Sequence, residues 1–231
     1  MHWNRLFICL LVITAFASCS DKEGQEKLQK RILSNARHYR DVNAASLAIQ
    51  TLIALDSVKY ASYKDTLMVI YATAGANAQA ILIAKELLIE RPKDTTVLKI
   101  LANTTENLGL SVEAMKYFHS LFEVTGKPDF LYQVATIAFK EKRTDISEQM
   151  LNTIDSVPSS KDVFIVFSYE KGPRQKVPLD VAVLNLRGAL AQDKGDVRAA
   201  QEYYQKALDK MPAFVQAYTN MQRLKQEKQK H

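Results

Sequence analysis

The chain has 231 residues, of which 47% are hydrophobic and 24% are charged, so it can bury a substantial core. Seven glycines and six prolines are few for this length, which argues against an all-β fold with many tight turns. The net charge of +6 arises from cations interleaved with acids, without a basic stripe that carries aromatic residues. This pattern argues against nucleic acid as a partner.

The first 18 residues are typical of an export signal. Arg5 is followed by twelve uncharged residues, 6–17, and this stretch is shorter than the roughly 20 residues that a transmembrane helix needs. Small Ala17 and Ser18 then precede Cys19. The arrangement resembles a lipoprotein box, with Phe16 in place of the usual Leu, and implies cleavage before Cys19 and lipidation of its thiol. An ordinary signal peptide with a chance cysteine is the alternative.

Residues 19–27 are polar, and we expect them to form a short tether. The Ser20-Asp21 pair after Cys19 resembles a signal that places some Gram-negative lipoproteins on the cell surface, although Lys22 interrupts the acidic stretch. The expected location is therefore the outer membrane, with the protein facing either the periplasm or the exterior. A helical domain is expected over residues 28–231.

Five stretches of the chain share a spacing of small and apolar residues. They begin at Gln29, Ala61, Thr95, Asp129 and Val181, and the second, third and fourth starts are 34 residues apart. The last stretch is the most complete. Its spacing predicts two antiparallel helices that approach closely at Gly188 and Ala200, turn at Gly195 and end at Pro212.

This pattern resembles the tetratricopeptide repeat (TPR), a pair of helices with a period of 34 residues. The resemblance covers roughly residues 27–228. It implies an all-α fold, a right-handed superhelix of antiparallel helix pairs, with an unrelated helical bundle as the alternative. The Asp129 stretch lacks a glycine at its turn and requires a shift of about one residue in its second helix. In the degenerate first stretch, the residues at core spacing are Ile32, Ala36, Tyr39, Ala48, Leu52 and Leu55.

The period breaks at about residues 157–180, before the Val181 repeat. Residues 163–169 are rich in β-branched and aromatic types, and Gly172-Pro173 follows as a turn. We expect a β-hairpin whose second strand Pro178 restricts to an edge. The hairpin either packs on the flank of the helices or offers an edge to a partner strand. Beyond it, Val215, Tyr218, Met221 and Leu224 predict an amphipathic terminal helix that caps the stack.

No catalytic, cofactor or metal site is indicated. His38 and His119 stand alone, without a second histidine at ligand spacing. The chain has no glycine-rich phosphate loop and no nucleophile motif. The chain is therefore predicted not to be an enzyme and to need no cofactor.

The TPR resemblance implies a groove lined by the first helix of each pair. Its partner-facing positions fall on Lys99, Asn103 and Glu106 in the Thr95 repeat, on Gln133 in the Asp129 repeat and on Asn185 in the Val181 repeat. The same positions include Phe130, Ile137, Lys140, Glu141, Ala182, Ala189, Gln192 and Asp193. Each of these residues could instead belong to a solvated helix face.

The resulting hypothesis is a membrane-anchored scaffold that binds a protein partner in the bacterial envelope. One alternative is a structural lipoprotein without a discrete peptide site. The other is a lipoprotein that binds a small molecule or glycan, which the lack of tryptophan beyond Trp3 disfavours.

Overall fold

The computed structural model describes residues 3–158, 163–170 and 172–228. Within them lie eleven helices and two strands. The helices are α1 (Trp3–Tyr39), α2 (Val42–Leu55), α3 (Tyr63–Thr73), α4 (Asn77–Glu90), α5 (Thr95–Asn107), α6 (Ser111–Thr125), α7 (Asp129–Lys140), α8 (Thr144–Ser156), α9 (Leu179–Asp193), α10 (Val197–Lys210) and α11 (Val215–Lys228). The strands are β1 (Phe164–Phe167) and β2 (Gln175–Pro178). The chain divides into an N-terminal part, residues 1–104, and a C-terminal part, residues 105–231.

In the N-terminal part, helix α1 packs on α2 and helix α3 packs on α4. The fully buried side chains of this core include Ile49, Leu52 and Met68. Asp41 begins α2 as its N-cap, because its carboxylate accepts a hydrogen bond from the amide of Ala44 at 2.9 Å. The prediction that Tyr39 belongs to this core is wrong, since its side chain is 77% exposed beyond the last buried turn of α1.

The segment predicted as a tether is helical from residue 21 onward, as part of α1. Glu26 bonds to Lys30 one turn later and to Lys59 outside the helix, at 2.7 and 2.8 Å. These cations hold the pKa of Glu26 down at about 2. Polar sequence predicted flexibility here, but the spacing of Glu23 and Lys27 also supports a helix through a further ion pair at 2.8 Å.

In the C-terminal part, helices pair as α7 with α8 and α9 with α10, and α11 packs against α9 and α10. Gly188 on α9 faces the ring of Tyr204 on α10, so closely that a Cβ atom at Gly188 would lie 2.5 Å from Tyr204 Cε1. Gly195 turns the chain with a φ of +80°. The predicted pairing of helices and the terminal helix are confirmed.

The core face of α11 differs in part from the prediction. Met221 and Leu224 pack against Ala200 and Tyr204, as expected for a capping helix. Val215 and Tyr218 are 47% and 56% exposed, so their assignment to the apolar face is wrong. Phe214 and Ala217 are buried in their place, which shifts the apolar stripe of α11 toward α9 and α10.

The α7–α8 pair achieves the same close packing with different residues. Ser147 on α8 is fully buried, and its hydroxyl donates to the carbonyl of Ala135 on α7 at 2.8 Å. Lys142 takes the left-handed turn conformation with a φ of +60°. Ser147 and Lys142 thus take the places that Ala200 and Gly195 have in the Val181 repeat. The repeat frame therefore begins at Pro128, one residue before the predicted start at Asp129.

The interruption is a two-stranded antiparallel hairpin, as predicted. Each strand has four residues, and the register pairs Phe164 with Pro178 and Phe167 with Gln175. Ile165 and Val177 are buried against the helical part, where both strands contact α9. This supports packing on the flank of the helices for one face of the hairpin. Helix α9 starts at Leu179, so the second strand ends one residue before the helix begins.

Within the parts of the chain described above, no helix combines the length and the apolar character that a membrane span requires.

Candidate functional site

A cleft of about 690 Å³ lies in the C-terminal part, between helices α7, α9 and α11 and the end of strand β1. Helix α9 forms its floor with Asn185, Ala189, Gln192 and Asp193. These are four of the five groove positions predicted for the Val181 repeat. Their common side follows from helical geometry, because residues three and four apart project to the same face.

Three amide side chains form a chain of hydrogen bonds along the cleft. Gln216 Nε2 donates to Asn220 Oδ1, and Asn220 Nδ2 donates to Asn185 Oδ1, each at 3.0 Å. Asn185 and Asn220 are only 6% and 8% exposed, so these bonds satisfy polar groups that would otherwise be buried without partners. Asn185 accepts this bond through Oδ1, and its Nδ2 group donates to no described residue. These hydrogen bonds between amide side chains, the amide ladder, join α11 to α9 and leave the Asn185 Nδ2 group as a donor for a ligand.

A second polar link crosses the cleft at Gln192. The Tyr204 hydroxyl donates to Gln192 Oε1 and Gln192 Nε2 donates to Glu227 Oε2, both at 2.9 Å. Burial raises the pKa of Tyr204 to about 12, so the phenol remains a neutral donor at physiological pH. Gln192 is therefore held in one orientation from both ends.

The cleft contains charges of both signs. Asp193 pairs with Lys142, and Lys140 lies 3.8 Å from Glu106 as a mostly exposed ion pair. Arg223, on α11, makes no ion pair with any described residue. Arg223 is thus the cation of the cleft with its charge most open to a ligand, because a guanidinium offers five donors in a fixed plane.

Aromatic side chains close the cleft at the hairpin. Phe167 at the end of β1 stacks edge-on against buried Phe214, with ring centroids 4.9 Å apart. Gln175 on β2 donates to the carbonyl of Ala213 at 2.6 Å and accepts from Tyr169 at 3.0 Å. These contacts fasten the insertion to the start of α11 and place Phe167 in the cleft wall beside Phe139.

The structure separates the predicted partner-binding residues. Asn185 lines the cleft, and Glu106 reaches it only through its pair with Lys140. Lys99 and Asn103 belong to the N-terminal part, are exposed, and are linked within α5, where Asn103 Nδ2 donates to the Lys99 carbonyl at 2.9 Å. Gln133 is not among the residues that line the cleft. The side chain of Cys19 lies outside the described residues.

The groove prediction for the Asp129 repeat is wrong by one residue. With the frame starting at Pro128, the same positions fall on Asp129, Tyr132, Thr136, Phe139 and Lys140, and the last four line the cleft. Of the five residues named from the earlier frame, Lys140 alone is among the residues that line the cleft. Phe130 and Ile137 are buried, and Phe130 stacks on Phe118 with centroids 6.5 Å apart. Ala182 in the next repeat is also buried, although its frame is correct.

Sequence reasoning missed the contribution of α11 and of the hairpin. Continuing the 34-residue period from Val181 gives a start at Val215, and groove positions then fall on Gln216 and Arg223, which both line the cleft. That signal was present in the sequence. Phe167 carries no such signal, because no repeat position includes the insertion.

Among the described residues, no three or more His, Cys, Asp or Glu side chains come together as metal ligands would.

Comparisons with known proteins identify the fold. No family model matches the chain, and no curated protein matches its sequence. Among solved structures, a tetratricopeptide repeat protein from Parabacteroides merdae is 15% identical, with a TM-score of 0.62 over 87% of this chain and 72% of that one. MamA is 16% identical, with a TM-score of 0.58 over 80% of this chain and 91% of that one. PilW, a type IV pilus biogenesis factor, is 15% identical, with a TM-score of 0.52 over 71% of this chain and 68% of that one. The chain has the TPR fold.

Proposed function

We propose that the chain is a TPR scaffold of the bacterial envelope, anchored by lipid at Cys19, that holds a segment of a protein partner in the cleft between α7, α9 and α11. The observation that carries this proposal is the ladder of amides from Gln216 to Asn185 along a groove of about 690 Å³. Solved proteins with this fold include a pilus biogenesis factor, which is consistent with a role in an envelope assembly.

The lining of the cleft suits an extended peptide. Amide side chains both donate and accept hydrogen bonds, so they can pair with the backbone of a peptide whatever its sequence. The aromatic wall at Phe167 and Phe139 offers an apolar contact, and Arg223 offers a charged one.

The anchor rests on the sequence before residue 20. A short apolar segment that ends in Ala17-Ser18-Cys19 is the pattern on which lipidation of the cysteine depends. Two or three acyl chains would bind the protein stably to a membrane, since each buried methylene contributes about 0.8 kcal/mol. The Ser20-Asp21 pair after Cys19 resembles a signal that places some Gram-negative lipoproteins on the cell surface, and it supports an outer-membrane location.

Site-specific photo-crosslinking tests the cleft in living cells. A photoreactive amino acid at Ala189, on the cleft floor, should capture a discrete partner, whereas the same residue at Arg198, 92% exposed on α10, should not. Arg223→Glu should abolish the Ala189 crosslink, and the matched charge reversal Arg198→Glu should leave it intact. If Ala189 captures no protein, the partner site is wrong and a structural lipoprotein becomes the better description.

Incorporation of labelled palmitate tests the anchor separately. Wild type should take up the label and fractionate with outer membranes, and Cys19→Ser should do neither. Label that persists in Cys19→Ser would refute the anchor without affecting the cleft. Protease treatment of intact cells then distinguishes a surface-exposed chain from one that faces the periplasm.

A further inference from the structure

The loop between α2 and α3 lies beside the part of α1 that follows the proposed anchor. Lys59 in this loop is 2.8 Å from Glu26 of α1. Tyr60, the next residue, belongs to the buried core that also contains Leu33 and Ala36 of α1. The loop is therefore held against α1 by packing, at the level of Glu26.

The last turn of α4 lies at the same end of the N-terminal part. The first turn of α3 follows the α2–α3 loop directly, and there Lys64 pairs with Glu86 of α4 at 2.9 Å. Asp65 pairs with Arg91, just beyond α4, at 2.6 Å. We call residues 56–65 and 86–94 together the anchor-side end.

The path from Cys19 to the anchor-side end is short. The backbone from residue 19 to Glu26 belongs to α1, and a helix rises about 1.5 Å per residue, so this path is about 10 Å long. A flexible tether of the same seven steps could extend to about 25 Å. The headgroup layer of a bilayer is about 5–8 Å thick on each side. A lipid on Cys19 would therefore hold the anchor-side end within reach of the headgroups.

Exposed apolar side chains are concentrated at this end. Among the described residues, the two large apolar side chains with the greatest exposure are Val58 in the α2–α3 loop, at 87%, and Ile89 in the last turn of α4, at 85%. Leu28, two residues beyond Glu26 on α1, is exposed as well. Aliphatic side chains gain free energy when they leave water, and the boundary between headgroups and acyl chains offers such an environment.

The charges at this end are nearly balanced. The anchor-side end and residues 21–30 of α1 together contain eight acids and seven cations. Most of the cations are paired, and Lys30 and Lys59 share a single acid, Glu26. Anionic lipid attracts a surface with an excess of cations, which this end lacks. Its contact with a membrane would therefore depend on the apolar side chains.

We propose that the anchor-side end rests on the membrane that holds the lipid of Cys19, with Val58 and Ile89 inserted among the headgroups. This inference rests on the anchor in the proposed function and is independent of the cleft at α9. The contact gives the N-terminal part a fixed orientation at the membrane, which a lipid on one residue does not supply.

Fluorescent probes on the lipidated full chain test this contact. Cleavage would remove Cys9 and lipidation would use the thiol of Cys19, so Val58→Cys, Ile89→Cys and Tyr39→Cys each add a single free thiol. Each thiol receives a dye that brightens in apolar surroundings, and the chain is reconstituted into phosphatidylcholine vesicles and purified by flotation.

The position of the dye should decide its response. At positions 58 and 89, we expect emission to rise at least about twofold and to be quenched by lipids that carry a nitroxide on the headgroup. Tyr39 is the matched control, because it is 77% exposed and lies about 20 Å beyond Glu26 along α1. The dye at position 39 should stay in water and respond only to a soluble quencher.

A second substitution tests whether the two side chains insert together. Ile89→Asp should return the dye at position 58 to water, because a carboxylate resists burial. Leu82→Asp, a matched change at a 65% exposed leucine two turns earlier on α4, should leave that dye unchanged. Vesicles with anionic lipid should give the same emission as neutral ones. Circular dichroism confirms that each variant is folded.

Three results would overturn the proposal. The first is a dye at position 58 that stays in water although the chain floats with the vesicles, a result that leaves the anchor intact. The second is a response confined to anionic vesicles, since cations would then make the contact. The third is an unchanged dye at position 58 in Ile89→Asp. If the chain does not float, the anchor and this inference fail together, whereas a failed crosslink at Ala189 concerns neither.

Discussion

Helix pairs α7–α8 and α9–α10 follow each other in the C-terminal part and meet the same packing requirement with different residues. In α9–α10, Gly188 makes room for the ring of Tyr204, and Gly195 supplies the left-handed turn. In α7–α8, the hydroxyl of Ser147 donates a hydrogen bond to the Ala135 carbonyl, and Lys142 supplies the left-handed turn. The repeat therefore requires a small side chain at the crossing and a positive φ at the turn, rather than particular residue types.

The two pairs also differ in how they join their neighbours. Polar contacts join α8 to α9, among them Arg187 to Asp155 and Lys194 to Glu148, at 2.6 and 2.5 Å. By contrast, Tyr204 and Leu224 join α10 to α11 through an apolar cluster. The insertion lies at the polar junction, where the regular succession of pairs is interrupted. Its hairpin covers buried surface there through Ile165 and Val177.

The largest difference between the pairs should appear in Gly188→Ala. The added Cβ would lie 2.5 and 2.6 Å from two ring carbons of Tyr204, which is itself almost fully buried and cannot withdraw easily. Overpacking of this kind costs about 2 kcal/mol of unfolding free energy. Urea denaturation should show this loss. In the control Gly24→Ala, no atom lies within 4 Å of the new Cβ, and stability should be unchanged or slightly higher.

A smaller loss is expected in the other pair from Ser147→Val. Ser147 is fully buried at the helix crossing. Valine replaces its hydroxyl with one methyl group and adds a second that must displace neighbours, at a cost of about 1–2 kcal/mol. Ser147→Ala removes one hydrogen bond but fits the site, and its cost should stay below about 1 kcal/mol. The same denaturation measurement compares the two variants. Equal stability of Ser147→Val and wild type would mean that this crossing is looser than the one at Gly188.

Much of the fold could be predicted from the sequence, because close helix crossings and left-handed turns leave small residues at a fixed period. The start of the Asp129 repeat was predicted one residue too late, and the reason is physical. Lysine in a left-handed turn looks like any surface lysine, so the one-residue shift was assigned to the second helix and not to the whole repeat. The groove positions consequently fall on Gln133, Ile137 and Lys140 in the prediction, in place of Tyr132, Thr136 and Phe139.

The candidate site was predicted less completely than the fold. Asn185 was found because its repeat is regular, whereas Asn220 and Arg223 belong to a helix considered only as a cap. Phe167 enters the cleft through the tertiary contact between the hairpin and Phe214, which no local pattern indicates. Whether Cys19 carries lipid stays a prediction.

The smallest expected effects concern the two turns, at Gly195 and Lys142. Gly195→Ala forces a side chain into a φ of +80° and should cost about 1 kcal/mol. Lys142→Gly relieves a similar strain in the native state. It also makes the unfolded chain more flexible and removes the exposed pair with Asp193, so the net change should stay within about 0.5 kcal/mol of zero. Measurements in low and high salt separate the contribution of the ion pair from that of the backbone. If Lys142→Gly were as destabilising as Gly195→Ala, the lysine would stabilise the turn through its side chain, and the two pairs would not share a common backbone requirement.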